Sequence, residues 1–361
     1  MENKKLEAKL HALPAGDGDC IIFQYQDVNE QYHNILIDGG NRNQLEFNKQ
    51  KKKILEILHP NKGTLDLVII THSDDDHIKG ILKLLVDEDL SPFVKKIWFN
   101  SERTICNFIE SESKDTQLYK INPPFRGVVK SSRTQDNNLY HLLDGDPRWD
   151  KEIIIAGKKE SIENLDITVL SPTKDNLIVL NNYWPTQKLG PVKSSSSKKF
   201  DYDITLNEFI NNEVAFTEDT SPVNGSSIAL LFEWLDKKFL LLADSFPSTI
   251  VDSLNKLNLS TPINLDAMKV SHHGSKNNTS DDLLNQFTCK NYIISANANK
   301  KHYHPNKQAL CRILKHNGID KTVFYFTHCN SDLRRIFISE PNINTVYPAT
   351  NEDGACFYYE C

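Results

Sequence analysis

The chain of 361 residues reads as an α+β protein: two β-sheets face to face with helices on both outer faces, a four-layer αββα sandwich carrying a long insertion. Three observations predict it. Strand-length apolar runs alternate with segments of helical periodicity toward both ends of the chain, each half opens on hairpin-like strand pairs, and a long middle stretch has weak periodicity. The composition agrees, since 39% hydrophobic and 25% charged residues describe a soluble globular protein and exclude disorder, collagen and coiled coil. The most apolar stretch, Ser227 to Ala243, is broken by Glu233, Asp236, Lys237 and Lys238, short of the roughly 20 uninterrupted apolar residues of a membrane span. Met1 to Leu10 contains no apolar leader region, so the expectation is a cytoplasmic protein without membrane contact.

Cys20 to Tyr25 and His33 to Asp38 read as strands, followed by a charged helix from about Leu45 to Leu58 and a buried strand from Leu65 to Thr71. Beyond Asp76, Ile78, Ile81, Leu82 and Leu85 fall at i, i+3, i+4 and i+7, which makes one apolar helix face, and Val94 to Phe99 returns as a strand. Residues 101–223 are expected to be linker and insertion within a single domain spanning 1–361. There Asn122 to Pro124, Asp144 to Pro147 and the serine run 194–197 read as loops, Asp166 to Leu170 as a strand and Leu206 to Ile210 as a short helix. Ser227 to Trp234 and Lys238 to Ala243 pair as a hairpin, and Ile250, Val251, Leu254 and Leu257 share a helix face behind Pro247. The strand Ala267 to Ser271, a helix capped near Thr279 or Ser280, the strand Tyr292 to Ser295 and a helix from Pro305 to a Gly318 stop come next. Strands at Thr322 to Phe326, Arg334 to Ile338 and Ala355 to Tyr359 close the chain.

With 42 Lys and Arg against 48 Asp and Glu the net charge is −6, so nucleic-acid contact would need local patches such as Lys49 to Lys53, Lys193 to Lys199 or Lys300-Lys301. Each of these reads first as a solvated surface. Seven cysteines without C-x-x-C spacing fit neither a disulfide framework nor a thiolate zinc site.

Four apolar strands end in a metal-ligand residue type: Asp38, His72, Asp244 and His272. The densest cluster is Thr71-His-Ser-Asp-Asp-Asp-His77, an H-x-D-x-D-H pattern between a buried strand and an amphipathic helix. Imidazole nitrogens and carboxylate oxygens close on an ion at about 2.0–2.2 Å, so His72 and Asp74 can hold one ion while Asp76 and His77 hold its neighbour. An acidic helix N-terminus accounts for Asp74 to Asp76 through the helix dipole, but not for two histidines at this spacing. Asp244 can bridge two cations about 3.5–4 Å apart, or cap the helix that follows it. His272-His273-Gly274 offers two imidazoles on a glycine turn, either to ligate or to deliver a proton, and His304 before Pro305 offers a last one.

In this order Asp38, H-x-D-x-D-H, an Asp after an apolar hairpin and a late His resemble the metallo-β-lactamase fold superfamily, an αββα sandwich with a two-metal site at one sheet edge. Within it the chain is similar to the soluble hydrolase domain of the ComEC competence proteins. The shared motifs are Ala15-Gly-Asp-Gly-Asp19, Ile37-Asp-Gly-Gly40, Thr71 to Gly80, Val169-Leu-Ser-Pro172, Asn224-Gly-Ser-Ser227, Leu242-Ala-Asp244, Val270-Ser-His-His-Gly-Ser275, His304-Pro305 and Asn351 to Ala355. The resemblance implies His72, Asp74, Asp76, His77 and Asp244 as metal ligands, with His304 favoured as the last and the swap with His272 or His273 open. It also implies Asp76, His272 and His273 as the catalytic group and Asp38, Asp19 and Asn224 as supports behind the ligands. Asp74 stands where the lactamase, lactonase and glyoxalase branches carry His, their H-x-x-x-H motif gives way to Asn224 to Ser227, and Tyr303 replaces a Gly before the late His-Pro. These departures disfavour thioester or lactam substrates. The membrane channel of the competence proteins has no counterpart, so DNA uptake is not expected.

The expected reaction is hydrolysis of a phosphodiester by a hydroxide activated between two divalent ions, manganese or zinc with magnesium as a third candidate. A histidine protonates the leaving oxygen, and Ser275, Lys276 and Asn277 contact the phosphate. DNA or RNA is the first expectation for the substrate. A small or cyclic nucleotide is the alternative that the net negative charge favours. The non-enzymatic alternative is a metal-stabilised module of a bacterial defence system that binds a protein partner through residues 101–223.

Overall fold

A computed structural model describes residues 5–40, 43–61, 63–109, 132–184, 200–212, 215–350 and 353–361. The N-terminal sheet contains β1 (Glu7–Ala12), β2 (Ile21–Gln26), β3 (Tyr32–Ile37), β4 (Leu67–Ile70) and β5 (Ile97–Phe99). The second sheet is built from β6 (Lys159–Ile162), β7 (Leu165–Ser171), β8 (Ala229–Trp234), β9 (Lys237–Leu241), β11 (Ala267–Lys269), β13 (Asn291–Ile294), β14 (Val323–Phe326) and β15 (Asn344–Val346). A short pair, β10 (Ile263–Leu265) and β12 (Phe287–Cys289), lies beside it, and the last strand, β16 (Ala355–Glu360), returns to the first sheet next to β1.

The layers follow from which face each residue buries. Phe23, Ile35, Ile37 and Ile69 on one sheet pack against Ile167, Leu230, Phe232, Phe239 and Ile293 on the other, forming the core between the sheets. The alternate residues Ile22, Leu36, Val68 and Ile70 turn outward onto Phe47, Ile54, Ile78, Ile81 and Leu139 of the outer helices. On the far side Leu231, Leu240, Met268 and Phe324 receive Ile250, Leu254, Leu310 and Leu314. Both β-sheets therefore bury two faces, and their central strands read as continuous apolar runs.

Strand direction decides where chemistry can sit. β3 runs parallel to β4, and β9, β11 and β13 are mutually parallel in that spatial order. Their C-terminal ends carry Asp38, His72, Asp244, His272-His273 and Ser295. In parallel sheets the loops beyond the strands' carboxyl ends form the crevice, and here two such edges face one another.

Several expectations are corrected. Residues 101–223 are not all linker and insertion, because β7 lies inside the second sheet, paired antiparallel with β8, with Leu165, Ile167 and Val169 fully buried. The helix Ser132–Leu143 from the same stretch packs Leu139 and Leu143 on the first sheet. Arg334 to Ile338 is not a strand: Asn330 Oδ1 accepts the Leu333 N–H at 2.9 Å and starts the helix Ser331–Arg335. β1 was not foreseen, because its buried Ala8, Leu10 and Ala12 alternate with Glu7, Lys9 and His11 and give little apolar signal. Asn122 to Pro124, Lys193 to Lys199, Asn351 and Glu352 lie outside the described residues. Among the described residues no helix is long and apolar enough to cross a membrane.

Candidate metal centre

β4 delivers Thr71 and His72 and then turns into the helix Asp75–Leu84, for which Asp74 is the N-cap. The turn is held from behind by Asp38, which is fully buried and sits at φ 57°. Its Oδ1 accepts the Thr71 N–H at 2.8 Å, and its Oδ2 accepts the Thr71 hydroxyl at 2.7 Å and faces His77 Nδ1 at 2.7 Å. One carboxylate thus sets both ends of the H-x-D-x-D-H loop. Gly39 and Gly80 let this loop approach the helix, since the Gly39 N–H donates to the His77 carbonyl at 2.9 Å and the Gly80 N–H to the Gly40 carbonyl at 2.8 Å.

His72 and His77 are buried and face Asp244, which follows β9 after Ala243 at φ 46°. Asp244 divides its two oxygens. Oδ1 lies 3.5 Å from His77 Nε2 and 3.5 Å from His273 Nε2, whereas Oδ2 lies 3.9 Å from His72 Nε2 and 3.7 Å from His272 Nε2. Asp76 Oδ2 adds to the first group, 3.7 Å from His273 Nε2, and Asp74 Oδ2 to the second, 3.9 Å from His72 Nε2. His272 and His273 both have positive φ, 46° and 54°, which aims consecutive rings at opposite oxygens of Asp244. Left-handed backbone at non-glycine residues costs of order 1–3 kcal/mol each and persists where the surroundings enforce it.

Every ring has its far nitrogen committed. His77 Nδ1 meets Asp38, His273 Nδ1 donates to the Ser295 carbonyl at 2.9 Å, His272 Nδ1 meets Asn278 Oδ1 at 2.9 Å, and His72 Nδ1 faces Thr71 Oγ1 at 3.0 Å and Ser227 Oγ at 3.1 Å. This leaves the Nε2 atoms pointing inward. His72 Nε2 and Asp244 Oδ1 are buried without a hydrogen-bond partner.

Burial pushes His72 down to about 3, so its ring is neutral, with a lone pair to offer. Burial works the same way on His77, but Asp244 and Asp38 outweigh it and hold that ring well above its ordinary value. Burial and the neighbouring Asp76 push Asp74 up to about 7. Burial would also raise Asp244, yet His273, His272 and His77 hold it well below the carboxylate range. Carboxylates and inward imidazole nitrogens gathered in this way fit a divalent cation. Asp19, His77, Asp244 and His273 each bring one ligand atom, all within 4.8 Å of one another.

Asp74, Asp76, Asp244, His272 and His273 line a cavity of about 280 Å³ together with Asp17, Asp219, Ser221, Asn224, Asn297, Asn299, His302 and His304. Among the described residues lining it none is lysine or arginine.

The structure brings together His72, Asp74, Asp76, His77, Asp244, His272 and His273. His304 lies on the cavity wall, its ring 4.9 Å from that of His272 and its Nδ1 buried without a hydrogen-bond partner, while His273 brings one ligand atom into the group with Asp19, His77 and Asp244. His273 reaches it because its ring is pinned to the end of β13, next to β11. Asp19, expected as a support, lies among the ligand atoms and is also paired with the fully buried Lys269. Asn224 acts at one remove, donating to Asp219 Oδ2 at 2.7 Å. Ser275, Lys276 and Asn277 do not line the cavity: Ser275 Oγ accepts the Asn277 N–H, Lys276 is exposed, and the Asn277 amide donates to the Thr217 carbonyl.

Lys269 and Asp219 were missed. Lys269 Nζ donates to the Ala243 carbonyl at 3.0 Å and lies 4.0 Å from Asp244 Oδ1. Its signal was available, a lysine inside an apolar strand. Asp219 carried none, lying in a stretch of weak periodicity.

The family model of the metallo-beta-lactamase superfamily matches residues 25–100, the segment that carries β3, Asp38 and the whole H-x-D-x-D-H turn. Over that segment the chain is similar to the metallo-beta-lactamase superfamily. The chain is 31% identical over 98 residues to ComE operon protein 3 of Bacillus subtilis (strain 168), a match covering 27% of this chain and 12% of that protein. Among solved structures it is similar to the metallo-β-lactamase fold protein YhfI from Bacillus subtilis, with 12% identity, TM-score 0.43, and 99% of this chain and all of that one covered. Zn²⁺-bound PqqB from Methylobacterium extorquens overlays with 8% identity and TM-score 0.42, covering 97% and 99% of the two chains. A long form RNase Z from yeast overlays with 10% identity and TM-score 0.37, covering 89% of this chain and 37% of that one.

Proposed function

We propose that this protein is a two-metal phosphodiester hydrolase acting on DNA or RNA. The observation that carries the reading is the division of Asp244, whose oxygens face two separate pairs of inward imidazoles. Each pair has one further aspartate, Asp76 or Asp74. Divalent cations held there supply Lewis acidity toward a phosphoryl oxygen and lower the pKa of water. Asp74, in place of a histidine, makes its half of the site richer in oxygen, which favours manganese or magnesium beside zinc.

The chain's own residues orient and enclose. Asp38 prevents the His77 ring from turning, and Ser295 does the same for His273. His304 and Asn297 form the wall of the cavity that a leaving group meets. A phosphodiester anion finds no lysine or arginine among the described lining residues, so cations held by Asp74, Asp76 and Asp244 are what can balance its charge. The phosphodiester assignment itself rests on the ComEC-like motifs and on Asp74.

A second reading, a small or cyclic nucleotide as substrate, has the size and unbasic lining of the cavity in its favour. One experiment separates them: turnover of bis-p-nitrophenyl phosphate and of labelled single- and double-stranded DNA and RNA with Mn²⁺, Zn²⁺ or Mg²⁺, in wild type and Asp76→Ala. Polymer cleavage with a salt-sensitive KM, lost in the variant, supports the nuclease. Turnover of the small ester alone supports the small substrate, and no turnover with any metal overturns both.

A further inference from the structure

Besides His273, whose Nδ1 lies 3.4 Å from Asp19 Oδ1, two histidines of the site have Nδ1 against a carboxylate brought from elsewhere in the chain. For His77 it is Asp38 at 2.7 Å, and for His272 it is Asp219 Oδ2 at 3.2 Å. The two carboxylates are built alike. Asp38 uses one oxygen to accept the Thr71 N–H and Asp219 one to accept the Ser221 N–H at 3.0 Å, while the other oxygen of each faces the ring.

We propose that Asp219 is a positioning residue for His272, fixing its ring so that Nε2 is presented beside Asp244 Oδ2 and the cation site formed with His72 and Asp74 is complete. The proposal rests on the two-metal reading above. The backbone around Asp219 is stitched down on two sides. Its N–H donates to the Asn277 carbonyl at 3.0 Å, and its neighbour Glu218 accepts the Ser248 N–H and hydroxyl, each at 2.8 Å, at the start of the helix Pro247–Lys256. Its Oδ2 also accepts amide N–H groups from Asn224 at 2.7 Å and Asn278 at 3.2 Å. Around His272 Nδ1 stand the acceptors Asn278 Oδ1 at 2.9 Å and Asp219 Oδ2 at 3.2 Å, while the Asn224 amide nitrogen, farther off at 3.4 Å, donates to Asp219 Oδ2 at 2.7 Å, so the neutral ring carries its proton at Nδ1 and its lone pair at Nε2. Residues of the segment expected to be an insertion thereby complete one half of the metal centre.

The test is calorimetric titration of the full-length, chelator-stripped protein with Mn²⁺ and with Zn²⁺, with bound ions counted, for wild type, Asp219→Asn, Asp38→Asn and the double variant. Wild type is expected to bind two ions. Asp219→Asn weakens one of them by about 10- to 100-fold and leaves the other and the melting of the stripped protein unchanged; Asp38→Asn weakens the other ion, and the double variant loses both. Asp219→Ser, which keeps an acceptor for the Ser221 N–H, carries the same expectation should Asp219→Asn fold poorly. Two ions at wild-type affinity in the Asp219 variants overturn the proposal. So does equal weakening of both ions with a lowered melting temperature, which marks a general structural role. A wild type that binds fewer than two ions overturns the two-metal reading itself, and its own trace shows this without any variant.

Discussion

The Nε2 atoms of His77 and His273 face one another across 3.3 Å, although the residues stand 196 apart in the chain. Both rings have Nδ1 against an acceptor, Asp38 for one and the Ser295 carbonyl for the other. Two neutral rings so arranged point lone pairs at each other, which is unfavourable unless a proton or a cation lies between them. Mn²⁺ or Zn²⁺ is therefore expected to stabilise the fold, by about 2.7 kcal/mol at a hundredfold excess over Kd. Thermal melts with metal and with chelator check this, and superimposable melts would sink it.

The stripped protein should lose stability on both sides of neutrality. His272 rises from 6.5 to about 9 because, against burial, Asp244 and Asp219 favour its charge. That contribution is complete below about pH 6.5 and is lost as pH climbs through about 9. His72, lowered to about 3 by burial, acts in the opposite direction and costs stability as pH falls from about 6.5 toward 3. Metal affinity should meanwhile increase from about pH 6.5 to 9 as the proton on His272 ceases to compete. Urea melts and metal titrations across this range read both trends.

Asp244→Asn removes the anion that His72, His77, His272 and His273 all approach. Hydrolysis should fall at least about 10²-fold in kcat. The elevated titrations of His77 and His272 should drop toward ordinary histidine values, which NMR of the stripped variant can follow.

Lys269→Met leaves the buried Asp19 carboxylate without its cation and the Ala243 carbonyl without one donor. Breaking a buried pair from one side costs about 3–5 kcal/mol, readable in denaturant unfolding. A change below about 1 kcal/mol would show that water or His273 replaces the ammonium.

Gly80→Ala places a methyl group 2.9 Å from the Gly39 Cα, with backbone rather than a movable side chain in its way. The helix Asp75–Leu84 must then shift away from the Asp38 loop. A loss of about 1–3 kcal/mol in stability is expected, with metal affinity falling alongside because His77 rides on that helix. Unchanged metal affinity in a destabilised variant would separate the two loops.

Much of the architecture was legible in the residue pattern. β2, β4, β8, β9 and β13 announce themselves as apolar runs because both faces of their sheets are covered, and the helix after Asp76 through its i, i+3, i+4, i+7 face. β1, β6 and the helix Ser132–Leu143 were hidden, since their polar faces dilute the apolar signal and only packing in the fold reveals them, whereas the apolar run of β7 was legible.

For the site, local spacing was enough to single out His72, Asp74, Asp76 and His77, because one turn between a strand and a helix holds them within reach of each other. Asp38 and Asp244 stood out as acids at the ends of buried strands. Tertiary structure alone decided that His273 rather than His304 joins the Asp19, His77 and Asp244 group, that Lys269 sits beneath it, and that Asp219 stands behind His272. The reason is geometric. Sequence periodicity reports which face of an element is buried, whereas these contacts depend on how the ends of parallel strands in two different sheets meet once the sheets are stacked.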